Sequence, residues 1–104
     1  MTTELKEWDG SKYLKSPEAI AIYLNDMLND PEASKDPSML IQALGVVARA
    51  KGMTEIARET GLSRESLYKA LSEDGNPSFA TVMKVLQALS IELHTKAKDG
   101  PEAA

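Results

Sequence analysis

The chain contains no cysteine. That excludes disulfide bonds, a thiol nucleophile and a cysteine-based zinc site, and it suits a reducing compartment. Histidine occurs once, as His94, with no second imidazole, thiol or glycine-rich phosphate loop to accompany it. A catalytic relay or a metal centre needs clustered groups, so His94 reads as an ordinary surface residue and the chain as a non-enzyme without cofactor or metal. Long apolar runs are missing too. Nothing approaches the roughly 20 residues of a membrane-spanning helix. Residues Met1 through Trp8 lack the basic-then-apolar order of a signal peptide, so the expected compartment is the cytoplasm, with no membrane partner. Positive charge is in deficit as well: the net charge of −4 argues, at first sight, against a polyanionic partner.

What is present fits one globular domain. The 104 residues are 42% hydrophobic and 27% charged, enough for one core and too apolar for wholesale disorder. The distribution of charge says more than its sum. Residues 1–36 hold eight acids against four bases, and residues 73–104 hold five against three. Residues 37–72 reverse the balance, with three acids and five bases. A polyanion should therefore meet the middle third.

Periodicity and caps predict five helices. Ser16-Pro17-Glu18 opens the first with an N-cap, a proline suited to the first helical position and an acid that complements the dipole. Ile20, Tyr23, Leu24, Met27 and Leu28 then share a face, and Asn29-Asp30-Pro31 ends it. A polar connection leads to Asp36-Pro37, which opens a second helix with the stripe Leu40, Ala43, Leu44, Val47 and Ala48, stopped by Gly52. The third spans residues 53–60 and the fourth follows Ser63 to about Leu71. After the turn Glu73-Asp74-Gly75-Asn76-Pro77, Ser78 caps a fifth, with Phe79, Val82, Met83, Val85, Leu86 and Leu89 inward. From Ile91 to Ala97 the period changes to two, which predicts a short strand. The first few residues and the tail 98–104 are expected to be mobile.

Residues 53–71 carry the most specific pattern. Two short helices cross where Ala57 is small enough to allow it, and Gly61, four residues later, tolerates the positive φ of a tight turn. Leu62 plugs the turn, Ser63 caps the second helix, and Ile56, Leu67 and Leu71 face the core. Any helical bundle could contain one of these features. Their combination, coinciding with the basic third, points to a DNA-binding helix-turn-helix. The second helix is then expected in the major groove of double-stranded DNA. Its outward positions are Ser63, Arg64, Glu65, Ser66, Tyr68 and Lys69. Arg64 is the best base reader, because its fork bonds a guanine edge bidentately. Glu65 either accepts from a cytosine amine, orients Arg64, or is a solvated first-turn acid. Ser63 is a cap first, and Tyr68 and Lys69 suit phosphate. Thr54, near a helix start, and Asn76, in the later turn, are further phosphate candidates.

An acidic protein holds random DNA poorly, so specificity is expected from a homodimer spanning two half-sites. The predicted strand has no partner in its own chain. Pairing with the same strand of a second subunit is the simplest solution, with Ile91 and Leu93 above a joint made by Val85 and Leu89.

These blocks resemble the HigA-like addiction-module antidote proteins, a branch of the lambda-repressor-like helix-turn-helix superfamily. The likeness runs through Trp8-Asp9, Tyr13-Leu14-Lys15 and Ile20 to Leu24, then Ala48 to Ser72, then Gly75-Asn76-Pro77-Ser78-Phe79 with Val82, Val85-Leu86 and Ala88-Leu89. It implies an all-α, five-helix lambda-repressor-like helix-turn-helix domain, here with a short C-terminal strand. It implies an antitoxin that binds a RelE/ParE-like (HigB-type) toxin encoded beside it and represses the shared operon. Toxins of that type cut mRNA at the ribosome or act on gyrase. Two positions depart from the pattern. Ser90 stands where the family has glycine, and no long C-terminal toxin-wrapping tail follows the strand.

The toxin role then falls to the N-terminal segment or to the folded domain. Residues 1–36 are expected as a toxin-contacting segment with one helix, residues 37–97 as the DNA-binding core with its strand, and residues 98–104 as the tail. Trp8, Tyr13 and Leu14 are apolar anchors in an acidic third, and Ile22 points off the apolar face of the first helix. Trp8 either tucks onto its own core or anchors the partner. The acids suit a basic toxin, since a nuclease must attract RNA. A stand-alone prophage-type repressor without a toxin is the alternative, and a neighbouring reading frame for a small basic protein separates the two.

Overall fold

The computed structural model describes residues 15–98. The expectations placed on Trp8, Tyr13, Leu14 and the tail beyond Lys98 lie outside the described residues. Five α-helices follow one another: α1 (Pro17–Asn29), α2 (Pro37–Lys51), α3 (Met53–Thr60), α4 (Arg64–Ala70) and α5 (Phe79–Ala88). A 3₁₀ turn, Ala33–Lys35, sits between α1 and α2.

Local chemistry sets the helix starts. Ser16 accepts from the Ala19 N–H at 3.1 Å, Asp36 from Ser38 at 3.0 Å, Ser63 from Ser66 at 3.0 Å and Ser78 from Thr81 at 3.1 Å. Each bond satisfies an amide that has no partner inside its helix. Proline occupies the start of α1 and α2, where its missing N–H costs nothing. The link between α1 and α2 is more ordered than a polar connection. Asp30 Oδ1 accepts from the N–H groups of Glu32 and Ala33, and Ala33 is buried against α1 and α2.

The helices pack α1 on α2, α2 on α3, α3 on α4, and α3 on α5. The fully buried side chains Ile20, Val47, Ile56, Leu67, Leu71, Val85 and Leu89 make the centre of the core. Gly45 of α2 lies where a Cβ would stand 2.7 Å from the Leu71 carbonyl, so only glycine lets the end of α4 approach α2 this closely.

Two expected inward positions are exposed. Phe79 is 71% exposed and Leu28 49% exposed. Phe79 is in phase with Val82 and Leu86, but it begins α5, beyond the reach of the elements that cover the rest of the stripe. Periodicity specifies a side chain's direction and not whether another element stands there.

The predicted strand is overturned. No β-strand occurs among the described residues, and residues 91–97 are irregular chain. Alternation of apolar and polar groups is not sufficient: a strand exists only in a ladder, and no second extended segment among the described residues offers one. The exit from α5 is instead a two-bond C-cap. Ser90 takes the left-handed conformation at φ 63°, its N–H bonds the Gln87 carbonyl at 3.0 Å, and the Ile91 N–H bonds that of Leu86 at 2.9 Å. Serine does here what glycine does more cheaply.

Candidate nucleic-acid interface

The pair α3–α4 forms around a tight turn. Gly61 has φ 80° and its N–H bonds the Ala57 carbonyl at 2.9 Å. Ala57 is buried at the crossing, as expected from its size. Thr60 adds a bond that sequence patterning missed. Its buried hydroxyl donates to the Ala57 carbonyl and accepts from the Leu62 N–H, both at 3.3 Å. Thr60 thus ties the last turn of α3 to the residue that begins the link. A threonine directly ahead of the turn glycine was the available signal.

Beyond the turn, Leu67 and Leu71 anchor α4, with 0% and 2% exposure. Ser63, Arg64, Glu65, Ser66, Tyr68 and Lys69 are all exposed, so every position expected on the outer face of α4 is there. The helix is about 10 Å long and 10–12 Å across with side chains, dimensions that a B-DNA major groove accepts. The Ser63 hydroxyl is committed locally: besides capping, it donates to Ser66 Oγ at 2.9 Å.

Arg64 is pre-positioned. Its guanidinium carbon lies 5.6 Å from the centroid of the Tyr68 ring, one turn along α4. That is within cation–π range, and it holds the guanidinium on the outer face of the helix. Among the described residues no ion pair joins Glu65 to Arg64; the one ion-pair geometry is His94 with Glu92 at 3.1 Å, both well exposed.

Thr54 is exposed at the start of α3, and Asn76 is exposed in the turn after α4. The turn folds tightly onto the end of α4, because the Gly75 N–H bonds the Ser72 carbonyl at 2.9 Å. Arg49 and Arg58 are exposed and Lys51 is half-buried, on α2 and α3 next to the motif. These cations account for the basic balance of the middle third, and residue-level patterning did not single them out.

The remaining expected contacts separate. Ile22 is 55% exposed on the outer face of α1. Val85 and Leu89 are fully buried in the chain's own core and have no surface to offer a second subunit. Ile91 is half-buried against that core, and Leu93 is 49% exposed. Among the described residues no helix is long and apolar enough to cross a membrane, and no three or more His, Asp or Glu side chains are grouped so as to hold a metal ion.

A family model described as "Probable addiction module antidote protein" matches residues 4–97. A protein of Haemophilus influenzae (strain ATCC 51907 / DSM 11121 / KW20 / Rd), described as an uncharacterized protein, is 47% identical over 96 residues. The alignment covers 92% of this chain and 95% of that protein. No solved structure matches.

Proposed function

The chain belongs to the addiction-module antidote family, and on that premise we propose that it is the antitoxin of a type II toxin–antitoxin module. It neutralises a RelE/ParE-like (HigB-type) toxin by direct binding. It also represses its own operon as a sequence-specific helix-turn-helix dimer. The observation that carries the DNA-binding half is the outer face of α4, where Arg64 is held over Tyr68 beside Ser66 and Lys69.

Arg64 reads a guanine edge, and Glu65 is the second base-facing group. Tyr68, Lys69, Thr54 and Asn76 approach phosphates, with Arg49, Lys51 and Arg58 adding charge around the motif. Ser63 and Ser66 shape the helix start. The toxin meets the acidic N-terminal third, through Trp8, Tyr13, Leu14 and the exposed Ile22. A dimer places two copies of α4 in successive major grooves.

Two measurements test this. A tagged product of the neighbouring gene should co-purify with the chain. A gel-shift titration on the chain's own promoter should show a specific complex containing two protomers. Arg64→Ala should weaken that complex by about 1–3 kcal/mol, the worth of one bidentate base contact, and leave toxin binding unchanged. Equal operator affinity of variant and wild type removes Arg64 as a base reader. A specific operator complex without any toxin partner replaces the antitoxin reading with that of a stand-alone repressor.

A further inference from the structure

One side of the fold is an apolar groove with a cavity volume of about 650 Å³. Buried Leu24 of α1 and Leu86 of α5 lie at its base, and Leu28, Phe79 and Leu93 stand exposed in its lining. Six large hydrophobic side chains are exposed among the described residues, so half of them converge on this one surface. A contiguous patch of this kind marks a surface that something covers, whereas scattered exposed apolar residues need no explanation.

Charge, shape and position favour a second copy of the chain as the occupant. Among the described residues that line the groove, the ionisable side chains are Glu92 and His94, which hydrogen-bond each other at 3.1 Å. A basic partner finds no row of acids there to pair with. A patch that meets its own copy across a two-fold axis must be self-complementary, and an apolar, nearly uncharged lining brings no like charges together. Phe79 supplies the shape. It is 71% exposed at the first position of α5, beside the groove. Two bare grooves would leave a void, which close packing does not tolerate. A ring standing out of the same patch fills that void, and two-fold symmetry makes the exchange reciprocal. The groove also adjoins the candidate DNA face. Pro77 and Phe79 of its lining continue the turn that carries Asn76, and that turn is pressed onto α4, because a Cβ at Gly75 would overlap the Ala70 carbonyl. A copy seated here stands within a few residues of the end of α4, where a contact can fix the separation of two half-site readers.

We propose that this groove is the dimer surface, with Phe79 of each copy entering the groove of the other. The proposal rests on the dimeric reading of the operator complex and gives that dimer its contact. Of the residues expected to join two subunits, Val85 and Leu89 are spent in the core, and Leu93 keeps an exposed side chain in the groove.

The chain alone is measured by sedimentation equilibrium across a concentration series, with a gel shift on its own promoter in parallel. The wild type is expected to be dimeric at micromolar concentration. Phe79→Glu places an acid at the start of α5, and Leu28→Lys places a base in the last turn of α1. Each is the charge that its end of a helix favours, and both side chains are exposed in the described fold, so helical circular dichroism stays unchanged. Each variant should raise the dimer dissociation constant by at least about tenfold, because its charge would be buried without a partner. Gln87→Glu, exposed on α5 and outside the lining, should leave that constant unchanged. A monomeric wild type overturns the proposal, and if Phe79→Glu then also loses the co-purifying product of the neighbouring gene, the groove belongs to that protein. Dimers that persist in both groove variants overturn it and put the interface elsewhere, as does an equal response to Gln87→Glu. Loss of the dimer with operator affinity unchanged upholds the surface and removes dimerisation from the operator reading instead.

Discussion

Single residues in this fold carry burdens that their types alone do not announce. Thr60 is the buried polar residue of the described core, and its hydroxyl bonds both sides of the helix-turn-helix turn. Thr60→Val keeps the shape and removes both bonds, leaving the half-buried Leu62 amide without its partner. The expected loss is about 1–2 kcal/mol, read as a lower urea midpoint with unchanged slope. Ser90 works in the opposite sense. Its φ of 63° costs an L-residue about 1–2 kcal/mol, and glycine relieves that strain but is freer in the unfolded chain, so only part of the cost is regained on substitution. Ser90→Gly should therefore stabilise the protein by about 0.5–1 kcal/mol, again in urea melts. Destabilisation by that change would mean that the Ser90 side chain makes a contact worth more than its backbone strain.

At the scale of the element, α4 divides cleanly into a buried anchor and an outer face. Leu67 holds it down, while Arg64 and Tyr68, one turn apart, form a cation–π pair on the outside. The tyrosine ring fixes the guanidinium before any ligand arrives, so less rotamer entropy is lost on base contact. Tyr68→Leu keeps an apolar side chain and removes the ring face. It should weaken operator binding by less than Arg64→Ala does. In a double-mutant cycle on operator affinity, the two should couple by about 0.5–1 kcal/mol. Strict additivity would make Tyr68 an independent phosphate contact. The segment after α5 shows the contrary case, an element that patterning alone demanded and the fold did not form. Its alternation survives as an exposed Leu93 and a half-buried Ile91.

At the scale of the whole molecule, charge and burial are partitioned along the chain. The basic third contains the helix-turn-helix, and the acidic N-terminal third contains α1, whose outer face presents Ile22. The core around Ile56, Leu67, Leu71, Val85 and Leu89 is built from α3, α4 and α5 and the residues that end them. Deleting residues 1–15 leaves Ser16 to cap α1 and removes none of the side chains named in that core. The shortened chain should keep its helical circular dichroism and most of its operator affinity. Its toxin neutralisation should be weakened, measured as growth rescue on co-expression with the toxin. Full neutralisation by the shortened chain would move the toxin surface onto the folded domain.

Where the helices begin, and the kind of motif they compose, are legible in the residues alone. Caps and prolines act within three or four residues, so Ser16, Asp36, Ser63 and Ser78 are legible before any tertiary contact exists. The same holds for Ala57, Gly61 and the outer face of α4, because a tight turn and a seven-residue helix leave few arrangements open. Tertiary structure decided what depends on a distant neighbour. Gly45 is glycine because Leu71 comes up against it. Ala33 is buried because α1 and α2 converge on it. Phe79 and Leu28 are exposed because no described element covers the groove between α1 and α5. Residues 91–97 form no strand because a ladder needs a second chain segment at hydrogen-bonding distance. A periodic pattern records which way a side chain points; what meets it there is settled only when the chain has folded.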